Sequence, residues 1–289
     1  LYIMPHGMLD PYFQRTSERK FKAVRNWVYW KLIESKLVNT ADGLLFTCNT
    51  ELLLAREPFR PYHPKQEINI GLGIEPPPPF TAEMTDDFLK KCPQAQDSPY
   101  ILFLGRIHEK KGIDHLIQAY SKLLITLLDG KESKANKLSF PKLVIAGPGL
   151  ETSYGKKMMQ LASESKLLRE SIFFTGILRG NAKWGAFYNS EAFVLPSHQE
   201  NFGIAVVEAL ACSKPVLISR QVNIWEEISS LNAGIVHDDN LDGAINSLNA
   251  FLSLTEQEKD KMGQQARLAY EIHFEISIVA QRLFDAIKN

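Results

Sequence analysis

From Tyr100 onward, short apolar segments alternate with helical patterns, and this alternation constrains the fold more than any other feature of the chain. A strand buried on both faces of a parallel sheet appears as a continuous apolar run, and strands that alternate with helices favour such a sheet. We therefore predict an α/β fold for this region. The predicted strands are Tyr100–Gly105, Lys142–Ala146, Ile172–Gly176, Ala192–Pro196 and Pro215–Ile218, and the predicted helices are Ile113–Leu128, Tyr154–Glu164, Ala182–Asn189, Phe202–Cys212, Ile224–Ser229 and Leu241–Leu252.

A run of prolines after Glu75 divides the chain. Consecutive prolines favour an extended connector, so we predict a domain boundary at this point. Upstream, apolar residues at helical spacing predict a helix over Phe21–Val38. Downstream, the polar stretch Gly130–Ser139 is predicted to be a surface loop. The predicted ranges are 1–75 for a first unit, 76–97 for a Pro-rich linker, 98–270 for a second unit and 271–289 for a C-terminal helix.

Composition narrows the classes of protein to consider. Basic and acidic residues balance at 33 each, which gives no indication of a nucleic-acid partner. No apolar run reaches the roughly 18 residues that a membrane-spanning helix needs. Three cysteines without ligand spacing favour reduced thiols and a cytoplasmic protein. The first residues, Leu1–Met4, resemble the end of a buried strand, so we expect a longer protein with a further N-terminal part.

Glycines and cations follow the predicted strands of the second unit. Arg106 and Lys111 lie in the loop that begins at Gly105, Gly147 follows the next strand, and Ile177 follows the third. Ligands of parallel sheets bind beyond the carboxyl ends of the strands, so these loops are candidates for a binding site. Taken one at a time, each also has a simpler interpretation as a solvated charged loop or a turn.

The segment Phe193–Ser219 has the order strand, loop, helix, strand, and its apolar helix contains one carboxylate, Glu208. A buried carboxylate without a partner is costly. The N-terminus of a helix attracts anions, and Gly203 would let a phosphate approach it closely. Two adjacent ribose hydroxyls would then supply the partner of Glu208, and Glu200 would reach the group beyond the phosphates. The alternative is that Glu208 belongs to a structural ion pair.

Together, these loops and the helix N-terminus predict a site for a nucleoside diphosphate. The chain lacks the Gly-x4-Gly-Lys-Ser/Thr pattern of P-loop sites, and no Gly-x-Gly-x-x-Gly sequence opens a helix. Two carboxylates near a sugar would also fit a glycoside hydrolase. The cations and the helix N-terminus favour a substrate that contains phosphate.

Residues 200–208, Glu-Asn-Phe-Gly-Ile-Ala-Val-Val-Glu, resemble the Glu-x7-Glu motif of retaining glycosyltransferases of the GT-B fold, family 4 (glycosyl transferases group 1). The segments LFLGRIHEKKGIDHLI, LVIAGPG, FFTGIL and EALACSKPVLIS extend the resemblance over residues 98–270. Upstream, IMPHGMLDPY resembles the acceptor-domain loop that carries the family's active-site histidine. EINIGLGIE resembles the strand that ends that domain, with Ile-Gly-Leu-Gly where the family usually has Ile-Pro-Asn-Gly.

This resemblance implies two Rossmann-like domains with a cleft between them, of which the acceptor-side domain is only partly present, at residues 1–75. Residues 98–270 would bind the donor, and the C-terminal helix would pack back on the N-terminal domain. Catalytic roles are implied for His6, Arg106, Lys111 and Glu200, and donor-binding roles for Gly105, Gly147, Ile177, Asn201, Phe202, Gly203, Ile204, Ala205 and Glu208.

The expected reaction is retaining transfer of a sugar from a UDP-, GDP- or ADP-sugar to a glycan or lipid-linked acceptor, in polysaccharide or glycolipid synthesis. No cofactor and no metal are expected, because Arg106, Lys111 and the helix dipole can neutralise the leaving phosphate. Peripheral membrane association through the N-terminal domain, at the inner face of the membrane, is a further expectation. The alternatives are a GT-B nucleotide-sugar epimerase or hydrolase and a non-catalytic fragment that binds a nucleotide-sugar.

Overall fold

The computed structural model describes residues 1–15, 20–129 and 140–288. Within these ranges the chain forms two parallel β-sheets, one of three strands and one of six. The predicted α/β class is therefore confirmed. The predicted surface loop Gly130–Ser139 lies outside the described residues.

The first sheet has the strand order β1-β2-β3 and is parallel throughout. Trp30 anchors its core, stacking on Phe59 with ring centroids 4.7 Å apart. Its strands are β1 (Tyr2–Ile3), β2 (Gly43–Phe46) and β3 (Glu67–Asn69), and its helices are α1 (Tyr12–Arg15), α2 (Lys20–Tyr29), a π-helical turn (Trp30–Glu34), α3 (Ser35–Thr40) and α4 (Asn49–Ala55).

The helix predicted over Phe21–Val38 is present as α2, the π-helical turn and α3. Its apolar residues mostly face solvent, although regular apolar spacing is typical of a helix that buries one face. Phe21 is 95% exposed and Leu32 is 75% exposed, whereas Trp30 and Val38 are buried. This apolar surface is therefore available to a partner.

The second sheet has the strand order β6-β5-β4-β7-β8-β9, and all of its pairings are parallel. The chain moves outward from β4 in one direction through β5 and β6, then returns to the other side of β4 for β7, β8 and β9. The last strand was missing from the sequence prediction, because a short edge strand gives little apolar signal. The strands are β4 (Tyr100–Leu104), β5 (Lys142–Ala146), β6 (Ile172–Gly176), β7 (Ala192–Leu195), β8 (Val216–Ser219) and β9 (Gly234–His237).

Helices flank this sheet, and two of them correct the sequence prediction. α5 lies inside the predicted Pro-rich linker 76–97, so the extended connector is confined to residues 75–81. α13 was not predicted, although Thr255 and Glu258 form a capping box at its start. The helices are α5 (Ala82–Lys91), α6 (Ile113–Asp129), α7 (Ser153–Ala162), α8 (Lys166–Arg169), α9 (Gly180–Asn189), α10 (Ile204–Ala211), α11 (Trp225–Ser230), α12 (Leu241–Leu252), α13 (Glu256–Ala269) and α14 (Ile276–Lys288).

The C-terminal segment contacts residues of the first unit. Ile74 forms a parallel bridge with Glu275, and its carbonyl accepts a 2.9 Å hydrogen bond from the Tyr270 hydroxyl. At the far end of α14, the Tyr2 hydroxyl donates to the Ala286 carbonyl over 3.3 Å. These contacts join the C-terminal segment to Tyr2 and Ile74, and the division of the chain into domains stays a prediction.

Burial shifts the pKa of several titratable groups in the described part of the chain. All three cysteines are free and buried, and burial raises the pKa of the Cys212 thiol to about 12. Burial also raises the pKa of Glu227, whose Oε2 atom has no hydrogen-bond partner among the described residues. No helix within the described ranges has the length and hydrophobicity needed to cross a bilayer.

Candidate active site

The point where the strand order reverses lies between β4 and β7, which pair through Leu102 and Phe193. In open α/β sheets, ligands bind in the crevice at such a reversal, beyond the carboxyl ends of the strands. The loop after β4 begins at Gly105, and the loop after β7 leads to α10. The topology therefore places both predicted ligand-binding loops at the same crevice.

The loops after β4, β5 and β6 are joined backbone to backbone. Gly105 N–H donates to the Ala146 carbonyl over 2.9 Å, and Gly147 N–H donates to the Gly176 carbonyl over 2.8 Å. Gly147 has φ +144°, and a Cβ there would lie 1.8 Å from the Gly105 carbonyl oxygen. Only glycine fits this contact, which brings Gly105, Gly147 and the 50% exposed Ile177 together along one edge.

The N-terminus of α10 opens at this crevice. Gly203 is its N-cap residue, with φ +85° and ψ +65°, and within the described part of the chain no side chain caps this helix. The first N–H groups of a helix lack intrahelical partners and carry the positive end of the dipole. Ile204 is 53% exposed, so the first turn is open to solvent. This turn can accept a phosphate through its backbone N–H groups.

Lys111 and Glu200 form an ion pair that joins the loop after β4 to the loop after β7. Both side chains are mostly buried, at 17% and 21% exposure. Glu200 is fixed by its backbone as well, because its N–H donates to the Gln221 carbonyl over 2.8 Å and its carbonyl accepts from Asn223 N–H over 3.0 Å. The two residues predicted to contact diphosphate and sugar thus contact each other.

Glu208 forms a second ion pair, with Lys183 of α9. The Lys183 Nζ lies 2.8 Å from Oε1 of Glu208, and the side chains are 22% and 15% exposed. Lys183 also lies over the ring of Trp184, 4.0 Å from its centroid. The ion pair considered as the alternative role of Glu208 is thus present in the structure, and its role in binding ribose stays a prediction. Sequence reasoning missed Lys183, because nothing in its local pattern distinguishes it from a surface lysine.

The remaining predicted residues of these loops have different environments. Arg106 is exposed beside Gly105. Phe202 is only 5% exposed and meets Phe274 edge to face at 5.7 Å, so its ring anchors the loop to the C-terminal segment. Asn201 Oδ1 accepts from Asn223 Nδ2 over 3.4 Å. Ala205 is partly buried in the first turn of α10.

His6 lies in the segment of the first unit that meets the loop after β7. It is exposed and has φ +49°, a conformation that costs a non-glycine residue about 1–3 kcal/mol. The neighbouring Gly7 N–H donates to Oε1 of Glu51 over 2.5 Å. Across the interface, Gln199 Nε2 donates to Oδ2 of Asp10 over 3.0 Å. These bonds place the His6 loop against the loop that carries Glu200.

Glu51 is a residue that sequence reasoning missed. Its carboxylate is 4% exposed and accepts hydrogen bonds from Gly7 N–H, Thr47 N–H and Thr47 Oγ1 at 2.5, 2.8 and 2.5 Å. It therefore holds the His6 loop against the end of β2. The available signal was an acidic residue in the first turn of a short helix directly after an apolar strand.

Taken as a whole, the crevice presents cations and N–H groups for a phosphate, together with carboxylates for hydroxyl groups. Lys111 and Lys183 supply positive charge beside Glu200 and Glu208, and Arg106 is an exposed cation in the loop after β4. Glu200 and Glu208 are each paired with a lysine. An arrangement of this kind can hold a diphosphate between two hydroxyl-bearing groups.

Two curated proteins with similar sequences are glycosyltransferases. An uncharacterized glycosyltransferase of Methanocaldococcus jannaschii is 30% identical over 149 residues, covering 52% of this chain and 34% of that protein. The lipopolysaccharide 1,2-N-acetylglucosaminetransferase of Salmonella typhimurium is 25% identical over 213 residues, covering 71% of this chain and 52% of that enzyme. The chain thus spans about a third to a half of the length of these curated relatives.

Solved structures show the same fold. HepE of Anabaena, in complex with UDP and glucose, superposes with a TM-score of 0.73 at 16% identity, covering all of this chain and 71% of that one. A glycosyltransferase from Rickettsia africae gives a TM-score of 0.72 at 18% identity, covering 91% of this chain and 66% of that one. The predicted GT-B architecture is confirmed.

The family model described as Glycosyl transferases group 1 matches residues 85–269, a range that contains β4 to β9 and the candidate site. This match covers more than half of the sequence. The chain belongs to the family Glycosyl transferases group 1.

Proposed function

We propose that this chain is the donor-binding part of a retaining glycosyltransferase of family 4. The enzyme transfers a sugar from a nucleotide-diphosphate sugar to a hydroxyl of a glycan or lipid-linked acceptor, in polysaccharide or glycolipid synthesis. One observation carries the proposal: the uncapped N-terminus of α10 lies at the strand reversal, between two carboxylates that are paired with lysines from neighbouring elements.

Donor binding would rearrange these pairs. The diphosphate binds the N–H groups near Gly203, Ile204 and Ala205, and Arg106 and Lys111 neutralise its charge. The two carboxylate oxygens of Glu208 accept hydrogen bonds from the ribose hydroxyls in place of the hydrogen bond from Lys183.

The sugar and the base, at the two ends of the donor, are bound by further predicted residues. Glu200, released from its ion pair with Lys111, accepts from hydroxyls of the donor sugar. The base is held by the backbone of Ile177. Every residue type offers the same backbone groups, so the sequence leaves UDP-, GDP- and ADP-sugars as candidate donors.

The reaction then requires positioning and charge stabilisation. The bond between the anomeric carbon and the phosphate oxygen breaks, and a bond to the acceptor oxygen forms on the same face. The acceptor proton passes to the departing phosphate. Because the new bond forms on the face from which the phosphate leaves, the anomeric configuration is kept. Arg106, Lys111 and the α10 dipole stabilise the negative charge that develops on the phosphate, so no metal ion is needed. His6 contacts the sugar from the opposite unit.

The relatives support the substrate classes. The Anabaena structure contains UDP and glucose, and the name of the Salmonella enzyme places its acceptor in lipopolysaccharide. The exposed apolar surface of α2, with Lys22 and Arg25 beside Phe21, is of the kind that lies on a membrane surface. We propose a cytoplasmic enzyme that works at the inner face of the membrane on a lipid-linked acceptor.

A screen of UDP-, GDP- and ADP-sugars by thermal shift tests donor binding, because a ligand that binds only the folded state raises Tm. We expect one class of nucleotide-sugar to raise Tm both with and without EDTA, and transfer products to keep the anomeric configuration by NMR. Inverted products, or a Tm rise that depends on Mg²⁺ or Mn²⁺, would contradict the proposal. Release of free sugar without transfer would favour the epimerase or hydrolase alternative.

A further inference from the structure

A second cluster of chemically active side chains lies where β4, β7 and β9 lead into their loops. His115 is in the first turn of α6, His198 follows β7, and Asp239 follows β9. One potential ligand atom of each side chain lies within 4.8 Å of the other two. His198 Nδ1 lies 2.5 Å from Oδ1 of Asp239, and the rings of His115 and His198 meet edge to face at 5.0 Å.

His237, at the end of β9, belongs to the same neighbourhood. It is 7% exposed and precedes Asp239 by two positions at the end of the same strand. Its Nδ1 lies 2.8 Å from the Asp238 carbonyl, which can only accept, so Nδ1 carries the proton and Nε2 has a free lone pair. That Nε2 atom is buried without a hydrogen-bond partner among the described residues.

An imidazole that donates through one nitrogen to a backbone carbonyl and leaves the other nitrogen free is the usual arrangement of a metal-binding histidine. Imidazoles with one carboxylate are ligands of Zn²⁺ and related transition ions, whereas Mg²⁺ and Ca²⁺ prefer oxygen ligands alone. Bond lengths of about 2.0–2.1 Å in a tetrahedral zinc site separate the ligand atoms by about 3.4 Å. The ligand atoms of His115, His198 and Asp239, at most 4.8 Å apart, are already close to that spacing.

We propose that His115, His198 and Asp239 bind a divalent transition-metal ion of the Zn²⁺ class, with His237 as the fourth ligand. The ion replaces the proton shared by His198 and Asp239, and this proton is released to solvent. The cluster is separate from the residues assigned to the donor, and the ion takes no part in sugar transfer.

The consequence of binding would be structural. The ion would connect α6, the loop after β7 and the end of β9, three elements that are distant in sequence. Glu200 follows His198 by two positions in the same loop, and the backbone N–H of His198 already donates to the Lys110 carbonyl over 2.8 Å. Metal binding would therefore fix the loop that leads to the donor site and raise the stability of the fold.

Metal titration of the intact, tag-free protein tests this proposal after EDTA treatment and dialysis. Calorimetry with Zn²⁺ should give one ion per chain, and Co²⁺ should give the visible absorption bands of a tetrahedral site. With Zn²⁺ at 100 times its Kd, we expect Tm to rise by roughly 5–10 °C. Donor-induced Tm shifts should persist in EDTA, so this proposal and the proposed function can fail separately.

Matched variants locate the ion. His198→Ala, His237→Ala and the nearly isosteric Asp239→Asn should each weaken Zn²⁺ binding by about 100-fold or more. His63→Ala removes an exposed histidine of the first unit and should leave the Kd unchanged. Circular dichroism confirms that each variant is folded. Absence of saturable binding, or equal weakening by His63→Ala, would overturn the proposed site, and an unchanged Kd in His237→Ala would remove that residue as a ligand.

Discussion

Replacing Glu208 with alanine should separate donor binding from stability. The carboxylate is 15% exposed and is paired with Lys183 at 2.8 Å, so its removal leaves a largely buried lysine without that partner. A lost interaction of this kind costs about 1–2 kcal/mol of unfolding free energy, which lowers Tm by about 2–8 °C. The fold itself should survive.

The effect on the donor should be larger. If Glu208 accepts two hydrogen bonds from the ribose, each bond to the charged group contributes about 1.5 kcal/mol or more. Their loss amounts to about 3 kcal/mol, which corresponds to a Kd roughly 100-fold higher. Isothermal titration calorimetry with the nucleotide-sugar found in the thermal-shift screen measures this change directly.

Glu191 provides a matched control at the opposite end of β7. It pairs with Lys259 at 3.1 Å, and these side chains are 25% and 15% exposed, close to the values of the first pair. Glu191→Ala should lower Tm by a similar or smaller amount, because Lys259 keeps a second partner, Glu256, at 3.0 Å. The donor Kd should stay unchanged. Equal loss of affinity in both variants, or wild-type affinity in Glu208→Ala, would refute the assignment of ribose binding.

Three further changes test other parts of the account. Gly203→Ala places a side chain at φ +85°, which costs about 1–2 kcal/mol, and it should weaken donor binding in calorimetry. The control Gly180→Ala, at φ +52° with open space around the new side chain, should lower Tm without changing the donor affinity. Equal donor affinity in both variants would contradict the role of the α10 N-terminus. Burial raises the folded-state pKa of Glu227, so wild-type stability falls as pH rises above the pKa of the unfolded chain. Glu227→Gln should therefore raise Tm more at pH 7.5 than at pH 4. A Tm difference between variant and wild type that is the same at both pH values would show that the charge of Glu227 does not destabilise the fold. Replacing Phe21 of α2 and Leu32 of the π-helical turn together with serine should abolish co-sedimentation with anionic vesicles, and retained binding would remove this helical surface as the membrane contact.

The buried strands of the second sheet could be predicted from the sequence. The strands of the second sheet are continuous apolar runs because helices cover both faces, and the predicted strands correspond to β4–β8. β9 escaped prediction because it lies at the edge of the sheet, where a short segment from Gly234 to His237 gives little apolar signal. α5 escaped because the prolines before it favoured an extended interpretation of the whole stretch.

Pairings between distant elements could not be predicted. The sequence indicated that Glu208 needs a partner, but Lys183 lies 25 positions away on a different helix, and only the tertiary fold brings them together. The same holds for Glu51 beneath the His6 loop, and for His198 beside Asp239, which are 41 positions apart. Local patterns indicate which groups need partners, and the tertiary fold decides which groups supply them.

The most direct test of the central claim is a crystal structure of this protein with its nucleotide-sugar bound. We expect the diphosphate at the N-terminus of α10, on the N–H groups near Gly203, with Arg106 and Lys111 beside it. We also expect the ribose hydroxyls within hydrogen-bonding distance of Glu208, with Lys183 displaced from that carboxylate. A nucleotide bound elsewhere, or a ribose that leaves the ion pair of Glu208 and Lys183 intact, would contradict it.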